Sequence, residues 1–108
     1  MGKPTDLVQG TVDLLIMKTI ALEPMHGWAI AQRIRQLSND ILQVQQGSLY
    51  PALQRLERDG WITADWGTSE NNRRARFYRL TRAGQRQLGE EADQWNRIVV
   101  AIARALAT

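Results

Sequence analysis

Six arginines, Arg73, Arg74, Arg76, Arg79, Arg82 and Arg86, fall between Asn71 and Gly89, a stretch with no acidic residue. A guanidinium is a planar fork that grips two oxygens of one phosphate, which a lysine ammonium does not do. The run therefore points to a polyanionic partner, and the plainer alternative is a solvated basic face. A second set lies just upstream. Leu49, Leu53 and Leu56 repeat at i, i+4, i+7 and take one side of a helix. Gln46, Ser48, Tyr50, Pro51, Gln54, Arg55 and Arg58 are left for solvent or a ligand. Glutamine can hydrogen-bond adenine, arginine can fork to guanine, and serine can meet several base edges. Base edges and phosphates are thus the chemistry these two sets suit.

Other chemistries lack their residues. With no cysteine, disulfides, thiolate zinc sites and cysteine nucleophiles are excluded. His26 is the only histidine and has no carboxylate cluster beside it in sequence, so it reads as part of a turn and no metal site is expected. Glu90, Glu91 and Asp93 read as helix-surface charges. No glycine-rich phosphate loop, nucleophile elbow or histidine–carboxylate constellation occurs, so neither an enzyme nor a cofactor is expected. The net charge of +3 and pI near 10.0 lean mildly toward anionic partners. At 108 residues the chain fits one small domain, for which an extra interface would add stability. Its apolar stretches are far shorter than the roughly 20 residues of a membrane span. Met1 to Gln9 lacks the apolar core of a signal peptide. A soluble, cytoplasmic protein with no membrane partner is the expectation.

The elements that must position these residues follow from spacing. After an irregular lead over residues 1–9, Thr11 to Leu22 is mostly apolar and long enough for a buried helix, which Pro24 ends. Glu23 to Gly27 reads as a turn. Ile30, Ile34 and Leu37 define the inner face of a second helix from Trp28, and Ser38-Asn39-Asp40 is a polar stop. Ile41 to Val44 is too short for more than a bridge-like strand. The third helix spans Gln46 to Asp59 and closes at Gly60. Pro51 lies early enough in it to cost little. Trp61–Trp66 and Arg74–Leu80 alternate with period two and form a hairpin around a polar linker, Gly67–Arg73. Thr81 caps a last helix that Gly84 and Gly89 weaken. Along it Leu88, Ala92, Trp95, Val99, Ile102 and Leu106 are spaced by four, three, four, three, four, the 3.5-residue period of a coiled-coil seam. The same face could instead cover the domain's own core.

The expected architecture is mainly α with a small β-hairpin. It is a winged helix-turn-helix over residues 1–80 followed by a dimerisation helix over 81–108. The third helix would enter the major groove and the basic hairpin would touch phosphates. At this point the residues carry a resemblance. QQGSLYPALQRLERDGWI (45–62), GTVDLLIMKTIALEPMHGWAIAQRI (10–34) and RRARFYRLTRAG (73–84) resemble, in this order, the signature segments of the PadR family of bacterial transcriptional regulators. They cover almost the whole chain, and the single short C-terminal helix resembles the shorter subfamily.

The resemblance implies a homodimer joined through the C-terminal helix, repression at a promoter, and in some relatives release by a small aromatic effector. Tyr50 and Pro51 match the family's Leu-Tyr-Pro pattern, and Arg73, Arg74 and Arg76 its basic wing. Trp95 is the candidate effector contact, although a large packing residue is the plainer reading. The expected partners are double-stranded DNA and a second copy of the chain. The competing function is a winged-helix protein-interaction module that does not bind DNA.

Overall fold

The computed structural model describes Thr5–Asp6 and residues 9–108. The elements are β1 (Thr5–Asp6), α1 (Gln9–Ile20), β2 (Met25–His26), α2 (Gly27–Leu37), β3 (Leu42–Gln43), α3 (Gln46–Arg58), β4 (Ile62–Thr68), β5 (Arg74–Leu80) and α4 (Arg82–Ala107). Strands β2, β5 and β4 form an antiparallel sheet in that order, and β1 pairs in parallel with β3. Two readings change. The segment 23–27 contains a strand, because Met25 and His26 pair with Tyr78 and Phe77 at the edge of the hairpin. The lead contains β1. Two-residue strands have no periodicity to read, since the edge they join creates them.

The core is built from one face of each of the first three helices. Val12, Ile16, Met17 and Ile20 of α1 meet Ile30 and Ile34 of α2 and Leu49, Ala52, Leu53 and Leu56 of α3, closed by Val44, Ile62 and Tyr78. Leu37, expected on the inner face, is exposed at the end of α2. Leu22 is also exposed, because α1 stops at Ile20, two residues short of the expected end.

Local chemistry sets the boundaries. Nδ1 of His26 accepts the Ala29 N–H at 3.3 Å and caps α2. At the other end of α2, Ser38 Oγ donates to the Ile34 carbonyl and accepts the Leu42 N–H. Asn39 and Asp40 then take left-handed φ values of 54° and 65°, which their short polar side chains tolerate. Helix α3 ends in a Schellman turn. Gly60, at φ 79°, donates to Glu57 and Trp61 donates to Leu56. Pro51 stays within α3 on its exposed side.

The end of α3 is tied to the start of α4. Thr81 N–H donates to the Trp61 carbonyl at 3.0 Å, and Thr81 Oγ1 donates to the Gly60 carbonyl at 2.7 Å. The same hydroxyl accepts the Gly84 N–H at 3.0 Å as the α4 cap. Gly84 is buried, and a Cβ there would overlap the Trp61 carbonyl and Leu80. The residue read from sequence only as a cost to the helix is therefore what lets α4 approach. Leu88 also packs against the core, so the first two turns of α4 belong to the body of the fold.

Arg55 is turned away from the open face of α3. Its Nη2 donates to Asp13 Oδ1 of α1 at 2.8 Å, and both side chains are largely covered. Arg55, one of the expected DNA contacts, is thus engaged by Asp13 in the free chain, and the pair clasps α3 to α1. Burial is the largest influence on Asp13 and holds its carboxyl above the ordinary range. The hydrogen bond and charge of Arg55 pull the other way, while Glu91 and Asp59 add to the rise.

Two measurements test this packing. Gly84→Ala should cost about 1–3 kcal/mol through overpacking and lower Tm by roughly 10 °C, followed by circular dichroism. A rise in Tm, as the better helix former alone would give, would show that α4 does not approach this closely. For Asp13, a raised folded-state pKa gives stability that is fully present below the unfolded value of 3.8 and lost as pH rises through the folded value. Relative to Asp13→Asn, the native chain should therefore gain stability as pH falls from about 7 toward about 4 in denaturant titrations. The opposite trend would mean that Arg55, not burial, dominates this carboxyl.

Candidate nucleic-acid interface

The surface of α3 opposite its leucines is open. Gln46, Ser48, Tyr50, Pro51, Gln54 and Arg58 are all exposed. They share a face because the core claims positions 49, 52, 53 and 56. Tyr50 is the hinge of this surface. Its ring lies against Gly27 at the start of α2, and a Cβ on Gly27 would meet the phenol oxygen. Glycine at position 27 thus allows the first turn of α2 and the side of α3 to come together.

The hairpin supplies the other wall. Ile62, Ala64 and Trp66 pair with Leu80, Tyr78 and Arg76. Period two therefore sets Trp66, Arg74, Arg76 and Tyr78 on the sheet face that carries the buried Tyr78. The tip is held by Ser69 N–H donating to the Arg73 carbonyl at 2.8 Å, with Asn72 at φ 60°. The Arg74 guanidinium lies 4.6 Å from the centroid of the Trp66 ring, a cation–π distance. Arg76 donates to Glu57 of α3 at 2.6 Å and also stands over Tyr78. Burial raises the Tyr78 phenol despite that neighbouring charge.

Between helix and wing lies a cleft of about 500 Å³, bordered by Trp28, Tyr50, Trp66, Arg73, Arg74 and Arg76. Of the residues singled out from sequence, it unites Tyr50 with the three wing arginines. Gln46, Ser48, Pro51, Gln54 and Arg58 lie on the exposed surface of α3 outside the cleft lining. Arg73 and Arg74 have no acidic partner among the described residues, whereas Arg76 shares its fork with Glu57 and Arg79 pairs with Asp65 at 3.4 Å. Sequence reasoning missed Trp28 and Trp66. Trp66 was recognised only as an alternating strand position. Their sequence signal was slight: two large aromatics beside polar turns, without a period to mark them as exposed.

The C-terminal seam divides. Leu88, expected at the intermolecular seam, is half-buried and packs against the chain's own core. Ala92 is half-buried, and Trp95, Val99, Ile102 and Leu106 are exposed, joined by Ile98 and Val100. Trp95 and Ile98 also border a concavity of about 390 Å³ with Asp13 and Leu14 of α1. Among the described residues, no three histidine, cysteine or carboxylate side chains are grouped to hold a metal ion. No described helix is long and apolar enough to cross a membrane.

Known proteins resemble this chain in sequence and in fold. The chain is 30% identical over 91 residues to the uncharacterized protein X of Lysinibacillus sphaericus, covering 84% of each. It is 35% identical over 83 residues to the transcriptional regulator Rv3488 of Mycobacterium tuberculosis, covering 77% of this chain and 74% of that one. A solved PadR family transcription regulator from hypervirulent Clostridium difficile R20291 superposes with a TM-score of 0.75 at 26% identity, over 88% of this chain and 97% of that one. The model of the transcriptional regulator PadR-like family matches residues 16–90. With the helix-turn-helix, the basic wing and these matches together, the chain belongs to the PadR-like family of transcriptional regulators.

Proposed function

We propose that this regulator is a homodimeric, sequence-specific repressor acting in the cytoplasm by binding, without a catalytic step. Family membership implies DNA-binding regulation. The observation that carries the finer reading is the cleft in which Tyr50 of α3 and the wing's Arg73 and Arg74 face one space. Helix α3 enters the major groove through Gln46, Ser48, Tyr50, Pro51, Gln54 and Arg58, whose side chains can read base edges. Arg73 and Arg74 take phosphates, and Arg76 assists once phosphate competes with Glu57 for its fork. Residues 1–80 form the DNA-binding domain and 81–108 the dimerisation helix. The first turns of that helix also close the domain core.

The dimer reading rests on the exposed apolar face of α4. Trp95, Val99 and Ile102 are each between 43% and 52% exposed, and Leu106 is 80% exposed. A contiguous apolar surface of this kind on a small protein marks an interface. Two-fold pairing would present two copies of α3 to half-sites about one helical turn apart, or a multiple of that, on a pseudo-palindromic operator. A small aromatic effector that contacts Trp95 in the groove between α1 and α4 would loosen DNA binding.

Fluorescence anisotropy on duplex from upstream of the protein's own gene tests the DNA reading. Affinity should exceed that for a scrambled duplex by roughly a thousandfold and fall steeply with salt. Arg73→Ala with Arg74→Ala should weaken binding to both duplexes and, with two arginines lost from each protomer, lower the salt slope of the dimer by roughly four. An unchanged affinity in that double variant would favour the protein-interaction module. Separately, Ile102→Asp with Leu106→Asp should convert a dimer to a monomer in sedimentation velocity at micromolar concentration. A native chain that sediments as a monomer would overturn the dimer.

A further inference from the structure

The wing separates two concave surfaces. The arginine cleft lies on one side. On the other, Phe77 projects from the sheet face opposite Tyr78. With Met25 and the exposed Trp28 it borders a hollow of about 440 Å³, a volume in the range of small-molecule sites. Its rim carries two carboxylates, Glu23 and Glu70, against one guanidinium, Arg33. On a chain whose net charge is +3, this is a locally acidic, aromatic recess.

His26 orients one of those carboxylates. His26 is buried, with its ring stacked toward Trp28 at 6.5 Å and meeting Phe77 edge-on at 5.3 Å. Its Nδ1 accepts the Ala29 N–H, so the ring proton sits on Nε2 and is donated to Glu70 Oε1 at 3.1 Å. This bond orients the Glu70 carboxylate and leaves it two-thirds exposed at the wing tip. His26, Trp28, Glu70 and Asn71 border both concavities. The His26–Glu70 bond is thus part of the wall between them.

We propose that the outer hollow binds a small aromatic cation and that its occupant competes with DNA through the wing. The positive group sits between the Glu70 carboxylate and the face of Trp28, where carboxylate charge and the ring quadrupole both favour it. Its ring packs on Phe77 and Met25. Drawing Glu70 toward the ligand strains its bond to His26 and shifts the tip from which Arg73 and Arg74 reach phosphate. The competition half rests on the DNA-binding reading above, and the binding half does not. The site is distinct from the groove beside Trp95, with which it shares no residue.

Calorimetric titration of the full chain without DNA tests the site, using phenyltrimethylammonium as the cation. Neutral N,N-dimethylaniline and anionic benzenesulfonate serve as controls. The cation should bind most tightly of the three. Glu70→Gln and Trp28→Leu should each weaken it by roughly three- to thirtyfold. Tighter binding of benzenesulfonate would make Arg33 the anchor and overturn the proposal, as would loss of cation binding in Trp95→Leu alone. Should Trp28→Leu fail to fold by circular dichroism, Glu70→Gln carries the test by itself. Anisotropy with added cation then tests the coupling. The duplex Kd should rise with cation, by the same factor as DNA raises the cation's Kd, and the rise should shrink in Glu70→Gln. Cation binding with an unaltered duplex Kd would overturn the competition alone. Absence of duplex binding before any cation is added would instead overturn the DNA reading and leave the site standing.

Discussion

The Trp61 carbonyl is the point on which the architecture turns. It follows the Schellman turn that ends α3, precedes β4, accepts the Thr81 N–H, and lies under Gly84 in the first turn of α4. One peptide group therefore fixes the direction of the helix that faces solvent, the root of the hairpin and the departure of the last helix. Thr81 completes the junction, because its hydroxyl both donates to the Gly60 carbonyl and caps α4. Each of these groups would otherwise be an unpaired backbone donor or acceptor at a partly covered site, so the junction is specified by hydrogen-bond satisfaction as much as by packing.

With the frame fixed, electrostatics sorts the arginines. A guanidinium held by a carboxylate is spent on structure, and one without a partner is free for a ligand. Arg55 is spent on Asp13 and holds α3 to α1. Arg76 is shared with Glu57 and anchors the wing to the side of α3. Arg74 rests on Trp66, which restrains it without neutralising it. Arg73 stands at the tip. The gradient from committed to free runs outward from the core. That outward gradient suits a binding surface that must be rigid at its base and charged at its edge.

The long helix adds a lever. At 26 residues α4 spans about 39 Å, and only its first turns touch the body closely. The rest carries apolar side chains into solvent, consistent with the proposed pairing of two chains. Asp13 lies where α1, α3 and α4 converge: it binds Arg55 of α3 and feels the charge of Glu91 of α4. A change at the α4 groove thus has a short physical route to α3.

Much of this was legible in the residues themselves. Leucine spacing gave α3 its inner face, Gly60 its end, Thr81 the start of α4, and alternation gave the two long strands. These signals are local, so the sequence carries them without help from tertiary contacts. The acid-free arginine run likewise marked the wing, because charge composition needs no coordinates. What only the tertiary structure decided are relations between distant residues. It turned Arg55 inward to a carboxylate 42 positions away, gave Leu88 to the core, and made β2 from the edge of the hairpin. It also showed Gly84 to be a close-approach residue and set Trp28 and Trp66 beside the arginines. Helical and strand periods report which side of an element is apolar. Which partner that side meets, and which charge finds a counter-charge, depends on packing angles that no single segment encodes.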